Sequence, residues 1–270
     1  MKLRKYYPTI VLSDIHLGSG YSRTEEVTRF LQHVDCDRLI LNGDIIDGWQ
    51  LKKPGKRWKQ KHTEFFKVLM KMMENNGTQI IYVRGNHDDF LDYLTPLCFF
   101  NVLIVKDYVL EVCGRRYLVT HGDLFDRVTA HMRWLAMLGD AGYTFLLWLN
   151  RIYNRKRERQ GKAYFSLAQQ VKHKVKSAVS YISAFERELV KLAETRKLNG
   201  IICGHIHQVA NTWYGSIHYL NSGDWVESMT ALAVDEAGEW HIITYDRSDY
   251  ETDAETYQTV DSQFYAGNSK

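Results

Sequence analysis

No apolar run in this chain is long enough to cross a bilayer. The most lipid-like stretch, Tyr143 to Leu149, holds seven residues, whereas a hydrocarbon core asks for about 20. Arg151 and Arg155-Lys156-Arg157 follow it, so it reads either as a buried core helix or as a helix that dips into a membrane interface beside lipid headgroups. Behind Lys2, Arg4 and Lys5 the apolar stretch is only Ile10 to Leu12, too short for a signal-peptide core, and a cytoplasmic location is the default expectation. Cysteine is sparse as well. Cys36, Cys98, Cys113 and Cys203 lie far apart with no Cys-x-x-Cys, which excludes a disulfide scaffold and a thiolate metal site and suits a reducing compartment. Three of them sit in apolar strand-like runs, where a free cysteine behaves as a small hydrophobe. No fixed-period repeat and no coiled-coil or collagen pattern occurs. The net charge is only +3, which speaks against a nucleic-acid binder, and no nucleic-acid partner is expected.

What remains is a chain of 270 residues with 45% hydrophobic and 25% charged residues, enough for one core or a core with an inserted subdomain. Its positive charge is clustered. Lys52, Lys53, Lys56, Arg57, Lys59 and Lys61 form one group, and Arg151 to Lys176 carries nine Lys or Arg against the single acid Glu158. Such clusters serve a phosphate-bearing substrate, a nucleic acid or an anionic membrane surface, or are simply solvated helix faces.

Thr9–Ser13, Arg38–Asn42 and Gln79–Val83 are short, nearly all-apolar strands of the kind found in a sheet covered on both faces. Between them, Thr24 to Val34 and His62 to Glu74 have helical spacing, the first with Glu25 and Glu26 in its opening turn. Asn75-Asn76-Gly77 stops the second, with Gly77 in the left-handed position. Val109 to Thr120 reads as a hairpin turning at Cys113-Gly114. Helical patterns run from Asp126 to about Asn150 and from Ala163 to Lys197. Strands return after Gly200, including Asn211–Tyr214 and Ile217–Leu220, with a hairpin through Glu236-Ala237-Gly238. The expected organisation is one α/β domain over 1–247, with 126–197 as a helical insert or cap and 248–270 as a loosely ordered polar tail.

Five short segments follow the strands: Ser13-Asp14-Ile15-His16, Gly43-Asp44-Ile45-Ile46-Asp47, Gly85-Asn86-His87-Asp88, His121-Gly122-Asp123 and Gly204-His205-Ile206-His207. Side chains leaving several strand ends converge on one point, and open α/β sheets bind ligands there. Asp oxygen and His nitrogen ligate zinc, manganese and iron. In Asp14-x-His16 and His205-x-His207, the period of an extended chain puts both side chains on one side. Asp88 is a candidate helix cap.

Together these segments resemble the calcineurin-like metallophosphoesterase superfamily over roughly residues 9 to 225. The resemblance implies a four-layer αββα sandwich with a helical insert. It implies that Asp14, His16 and His207 hold one divalent metal ion, that Asn86, His121 and His205 hold a second, and that Asp44 bridges both. Manganese is favoured, with iron or zinc compatible. An activated water would attack phosphorus in line with the leaving group. His87 would act as the acid, with Asp47 orienting it, and Arg84 would either face a phosphate or stay a surface residue.

Within the superfamily the chain is similar to the UDP-2,3-diacylglucosamine hydrolase family, which cleaves a pyrophosphate in lipid A biosynthesis. The similarity rests on Asp44-Ile-Ile-Asp47-Gly-Trp49, on His121-Gly122-Asp123 leading into a long helical insert, and on the basic helices before Gly204. His87 departs from it, since many members carry Arg there. The implied partner is a nucleotide-activated glycolipid or another phosphoester, with peripheral membrane contact. Trp134, Leu135, Leu138, Phe145, Leu146, Trp148, Leu149 and Tyr153 form either an apolar groove rimmed by the substrate-binding candidates Lys172, Lys174 and Lys176 or an ordinary helix–helix core. A phosphodiesterase or nuclease of the same superfamily is the rival reading, and the oligomeric state is open.

Overall fold

The apolar strands build two sheets that stack face to face. The computed structural model describes residues 4–125 and 176–249, together with residues 151, 154, 155, 157 and 160. The chain divides into two compact units, Met1–His121 with Leu198–Lys270, and Gly122–Lys197.

In the first unit, β1 (Lys5–Leu12), β2 (Val34–Asn42), β3 (Gln79–Val83), β4 (Leu97–Phe99) and β5 (Val102–Val105) join β11 (Thr230–Val234) and β12 (Trp240–Thr244) in a seven-stranded sheet of order β12-β11-β1-β2-β3-β5-β4. β6 (Asp107–Val112), β7 (Arg115–Thr120), β8 (Gly200–Cys203), β9 (Ala210–Tyr214) and β10 (Ile217–Asn221) form a five-stranded sheet of order β6-β7-β8-β10-β9. Alternation along β1 to β3 explains why they are apolar throughout. Ile10, Leu12, Leu39, Leu41, Ile80 and Tyr82 pack with α1 (Thr24–Gln32) and α3 (Gln60–Asn76) through Phe30, Phe65, Leu69 and Met72. Val11, Ile40, Ile81 and Val83 face the other way, onto Tyr117, Val119, Ile202 and Leu220 of the second sheet. Each such side chain contributes about 1.5–3 kcal/mol on burial.

The parallel register sets the ends of these strands level, with Leu12 beside Leu41 and Asn42 beside Val83. The segments that follow therefore emerge at one edge. The short helix α2 (Gly48–Leu51) starts there, with the Asp47 side chain accepting from the Gln50 N–H at 2.9 Å. The second unit contains a 3-10 turn, Asp123–Phe125, and α4 (Lys176–Thr195). Phe185, Leu189 and Ala193 of α4 are buried at four-residue spacing, the face expected of an amphipathic helix.

Two sequence expectations need correction. Val34 is not helical: α1 ends at Gln32, and Val34 opens β2 paired in parallel with Lys5, as suits a β-branched residue. Asp88 does not cap the turn that follows it, because its carboxylate is engaged elsewhere. Gly77 takes the left-handed conformation after α3, at φ 68°. None of the four cysteines is in a disulfide. Cys36 and Cys203 are buried, whereas Cys98 and Cys113 are exposed. Burial, helped by Asp35 and Asp37, pushes the Cys36 thiol up to about 12, so it is inert. The aromatic residues of 134–153, Lys172 and Lys174, and the tail from 250 onward lie outside the described residues. Among the described residues no helix is long and apolar enough to cross a membrane.

Candidate metal centre

Asp14, His16, Asp44, Asp47, Asn86, His87, His121, His205 and His207 all leave strand ends of the first unit. Backbone hydrogen bonds lace their segments together. The N–H groups of Asp14, His16 and Leu17 donate to the carbonyls of Gly43, Asp44 and Ile45, and Gly204 N–H donates to His121 O at 3.1 Å. Three overlapping clusters result: Asp14-His16-His207, His16-Asp44-His87 and Asp44-His121-His205, with the donor atoms of each within 4.8 Å of one another.

Asp44 is the hub. Its Oδ2 lies 3.2 Å from His121 Nε2 and 3.9 Å from both His16 Nε2 and His87 Nε2, while Oδ1 accepts the His87 N–H at 2.8 Å. Asp14 Oδ1 lies 3.2 Å from His207 Nε2, and its Oδ2 accepts the His205 N–H at 3.0 Å. His121 Nδ1 is 3.0 Å from the Asn42 carbonyl. A carbonyl only accepts, so Nδ1 carries a proton, and Nε2 is turned toward Asp44. Burial alone would raise both carboxyls. The neighbouring imidazoles outweigh it, leaving Asp14 at about 2 and holding Asp44 well below the usual carboxylate range.

The donor set fits a pair of divalent cations on three observations. Asn86 Oδ1 is buried without a hydrogen-bond partner among the described residues, a costly state for an amide oxygen. Two buried carboxylates and several imidazoles meet where a cation would compensate the acids. Asp14, His16, Asp44, His205 and His207 all adopt left-handed backbone, with φ between 52° and 67°. Such strain of about 1–3 kcal/mol each collects at functional sites. The loops also approach too closely for side chains at two glycines: a methyl group at Gly85 would collide with the Asp44 carboxylate, and one at Gly43 with the His121 ring.

His87 stands at the edge of the cluster. Its Nδ1 donates to Asp47 Oδ1 at 3.0 Å, and its ring meets His16 edge-on at 4.7 Å. Burial lowers the His87 pKa, but the Asp47 hydrogen bond and the Asp44 charge prevail and hold it above the ordinary imidazole value. Burial would raise Asp47, yet His16, His87 and the Gln50 N–H hold it low. Arg84 pairs through Nε with Asp92 at 2.8 Å, and Lys106 shares that carboxylate at 3.6 Å. Lys176 is the first residue of α4.

The roles of several further residues went unread in the sequence. Trp49 is half exposed and lies over the His87 ring at 4.1 Å. Asp224 is buried, with Oδ2 3.9 Å from His207 Nδ1 and Oδ1 accepting the N–H groups of Val226 and Glu227. It follows β10 in Ser222-Gly223-Asp224, the same strand–glycine–acid form as the second segment, and that form was its signal. Asp88 accepts N–H bonds from Ile46 at 2.8 Å, Ile45 at 3.1 Å and Gly85 at 3.3 Å. Burial and the Asp44 charge nevertheless push its carboxyl up to about 6.

A family model described as calcineurin-like phosphoesterase matches residues 7–209. Among curated proteins, the UDP-2,3-diacylglucosamine hydrolase of Shigella sonnei (strain Ss046) is 26% identical over 215 residues, which is 75% of this chain and 82% of that one. The protein of the same name from Stenotrophomonas maltophilia (strain R551-3) is 25% identical over 260 residues, covering 88% and 99%.

Proposed function

The chain belongs to the calcineurin-like phosphoesterase family, and on that premise we propose that it is a two-metal hydrolase acting on the pyrophosphate of UDP-2,3-diacylglucosamine, with release of UMP. The observation that carries the metal chemistry is the chain of three His/Asp clusters joined through His16 and Asp44. Asp14, His16 and His207 are assigned to one ion, Asn86, His121 and His205 to the other, and Asp44 to both. Bound divalent ions, with manganese our assignment, would supply Lewis acidity and lower the pKa of water.

The remaining roles fall to this chain's own groups. We assign His87 the role of acid, giving the Nε2 proton of its imidazolium form to the leaving oxygen, because Asp47 accepts from Nδ1–H and so favours the protonated ring and fixes its plane. Trp49 covers one face of that ring, which limits water beside the proton. The substrate assignment is supported by two relatives of that name aligned along most of the chain.

The test is hydrolysis of UDP-2,3-diacylglucosamine with Mn²⁺ and detergent, with bis-p-nitrophenyl phosphate alongside. UMP release far faster than cleavage of the generic ester is expected. Cleavage of the generic ester alone would remove the glycolipid assignment and leave the metal hydrolase standing.

A further inference from the structure

Asp224 lies in the loop between β10 and β11 and is only 1% exposed, and its two carboxylate oxygens have different occupations. Oδ1 accepts the N–H groups of Val226 at 2.8 Å, Ser228 at 3.3 Å and Glu227, which is the turn that holds the loop. Oδ2 accepts the Ser228 hydroxyl at 3.1 Å and faces His207 Nδ1 at 3.9 Å. Among the described residues, His207 is the one basic side chain within 4 Å of this buried acid.

The loop is pinned to the first ligand segment. Trp225 N–H donates to the Asp14 carbonyl at 3.1 Å, and Ser13 Oγ donates to the Gly223 carbonyl at 3.0 Å. Gly223 has φ 75°, and a methyl group there would collide with Thr230 Oγ1. Asp224 is therefore fixed relative to Asp14, and the His207 ring is strung between the two carboxylates. Its Nε2 is 3.2 Å from Asp14 Oδ1 and its Nδ1 3.9 Å from Asp224 Oδ2. Asp47 stands in the same relation to His16, with Oδ2 3.7 Å from Nδ1. His121, by contrast, has the neutral Asn42 carbonyl behind it.

We infer that Asp224 is a positioning residue for the ion assigned to Asp14, His16 and His207, acting through His207. At 3.9 Å the contact is an ion-pair distance, longer than a hydrogen bond, so it is the charge of the carboxylate that acts. A carboxylate behind an imidazole orients the ring, favours a proton on the facing nitrogen and makes the other nitrogen a better donor. Loss of such a partner weakens metal binding about 10–100-fold. The anions stand behind His207 and His16 and not behind His121, so losing Asp224 weakens one of two binding events. The inference rests on the two-ion assignment given above. A residue that merely holds its loop would need Oδ1 alone.

Asp224→Asn separates the two roles, because the amide keeps an oxygen for the loop N–H groups and carries no charge toward Nδ1. The test is calorimetric titration of the chelator-stripped full chain with Mn²⁺, beside the melting temperature of the metal-free protein. Wild type is expected to bind two ions. In Asp224→Asn one dissociation constant should rise about 10–100-fold, with the other and the metal-free melting temperature unchanged. Placed in His207→Gln, the same substitution should bring less than about twofold further loss, since residues acting through one another are not additive. Wild-type affinity for both ions in Asp224→Asn, or equal weakening of both, overturns the inference and leaves the two-ion reading standing. Full additivity in the double variant also overturns it, because Asp224 would then not act through His207. A wild type that binds fewer than two ions removes the reading itself and the inference with it.

Discussion

At the scale of single residues, Asp44 and His87 separate two kinds of dependence. Asp44 faces His121, His16 and His87 through one oxygen. Its replacement by Ala is expected to remove bound metal and at least about a hundredfold of turnover together, as metal analysis of the purified variant would show. Full activity in that variant would contradict the two-metal reading. His87→Ala should instead keep its metals and lose turnover by about 10²–10⁴-fold, measured as kcat beside metal content. If kcat stays unchanged, the acid is another group. The ligand candidates were legible because each is an Asp, Asn or His directly after an apolar strand. The parts of Asn42 and Trp49 were not, because they depend on which loops meet, whereas Asp224 carried a strand–glycine–acid signal that went unused. Asn42 offers only its carbonyl to His121, and an asparagine carbonyl looks like any other in a sequence.

At the scale of elements, the loops after β2 and β3 are joined by Asp88, which accepts N–H bonds from one loop at Ile45 and Ile46 and from its own at Gly85. Asp88→Ala leaves these buried donors unmatched and is expected to cost about 3 kcal/mol or more, read from the urea midpoint, whereas Asp88→Asn should recover part of the loss. Were Ala as stable as wild type, the loops would be held by something else.

In the second sheet, His218 of β10 donates through Nε2 to Asn211 Oδ1 at 2.7 Å, and its Nδ1 accepts from the Tyr117 hydroxyl at 3.2 Å. Burial, with Arg115 nearby, lowers its pKa to about 4, against roughly 6.5 in an unfolded chain. Its contribution is therefore full above pH about 6.5 and lost as pH falls through about 4. The melting temperature should drop across that window by less in His218→Gln than in wild type. Identical slopes would assign the acid sensitivity elsewhere.

β1 to β3 were legible because both of their faces are buried. The stretch from Asp89 to Val105 was not assigned. β4 lies on the open edge and β5 beside it is only partly buried, so pattern no longer reports burial, and β4 and β5 are only three and four residues long.

At the scale of the whole molecule, metal and fold are expected to be linked. Left-handed backbone at five ligand candidates and two buried carboxylates are strains that a bound cation offsets. A ligand at a hundred times its Kd stabilises by about 2.7 kcal/mol. In a chain of this size, chelation should then lower the melting temperature by about 5–10 °C, with recovery on adding Mn²⁺. No shift in calorimetry would mean that the ions contribute little to the native state.

Asp14 and His205 are joined by a hydrogen bond across 191 positions of chain, and this separation bears on how the protein is made. A ribosome releases Asp14 and His16 early and His205 and His207 only after most of the chain has been synthesised. Until β8 takes its place beside β7, the early ligand candidates lack the late ones, and the nascent chain has not assembled the proposed cation site. A polypeptide cut short before Cys203 is therefore expected to be inactive, and the first turnover of each molecule would report that β8 and the loop after it are in place.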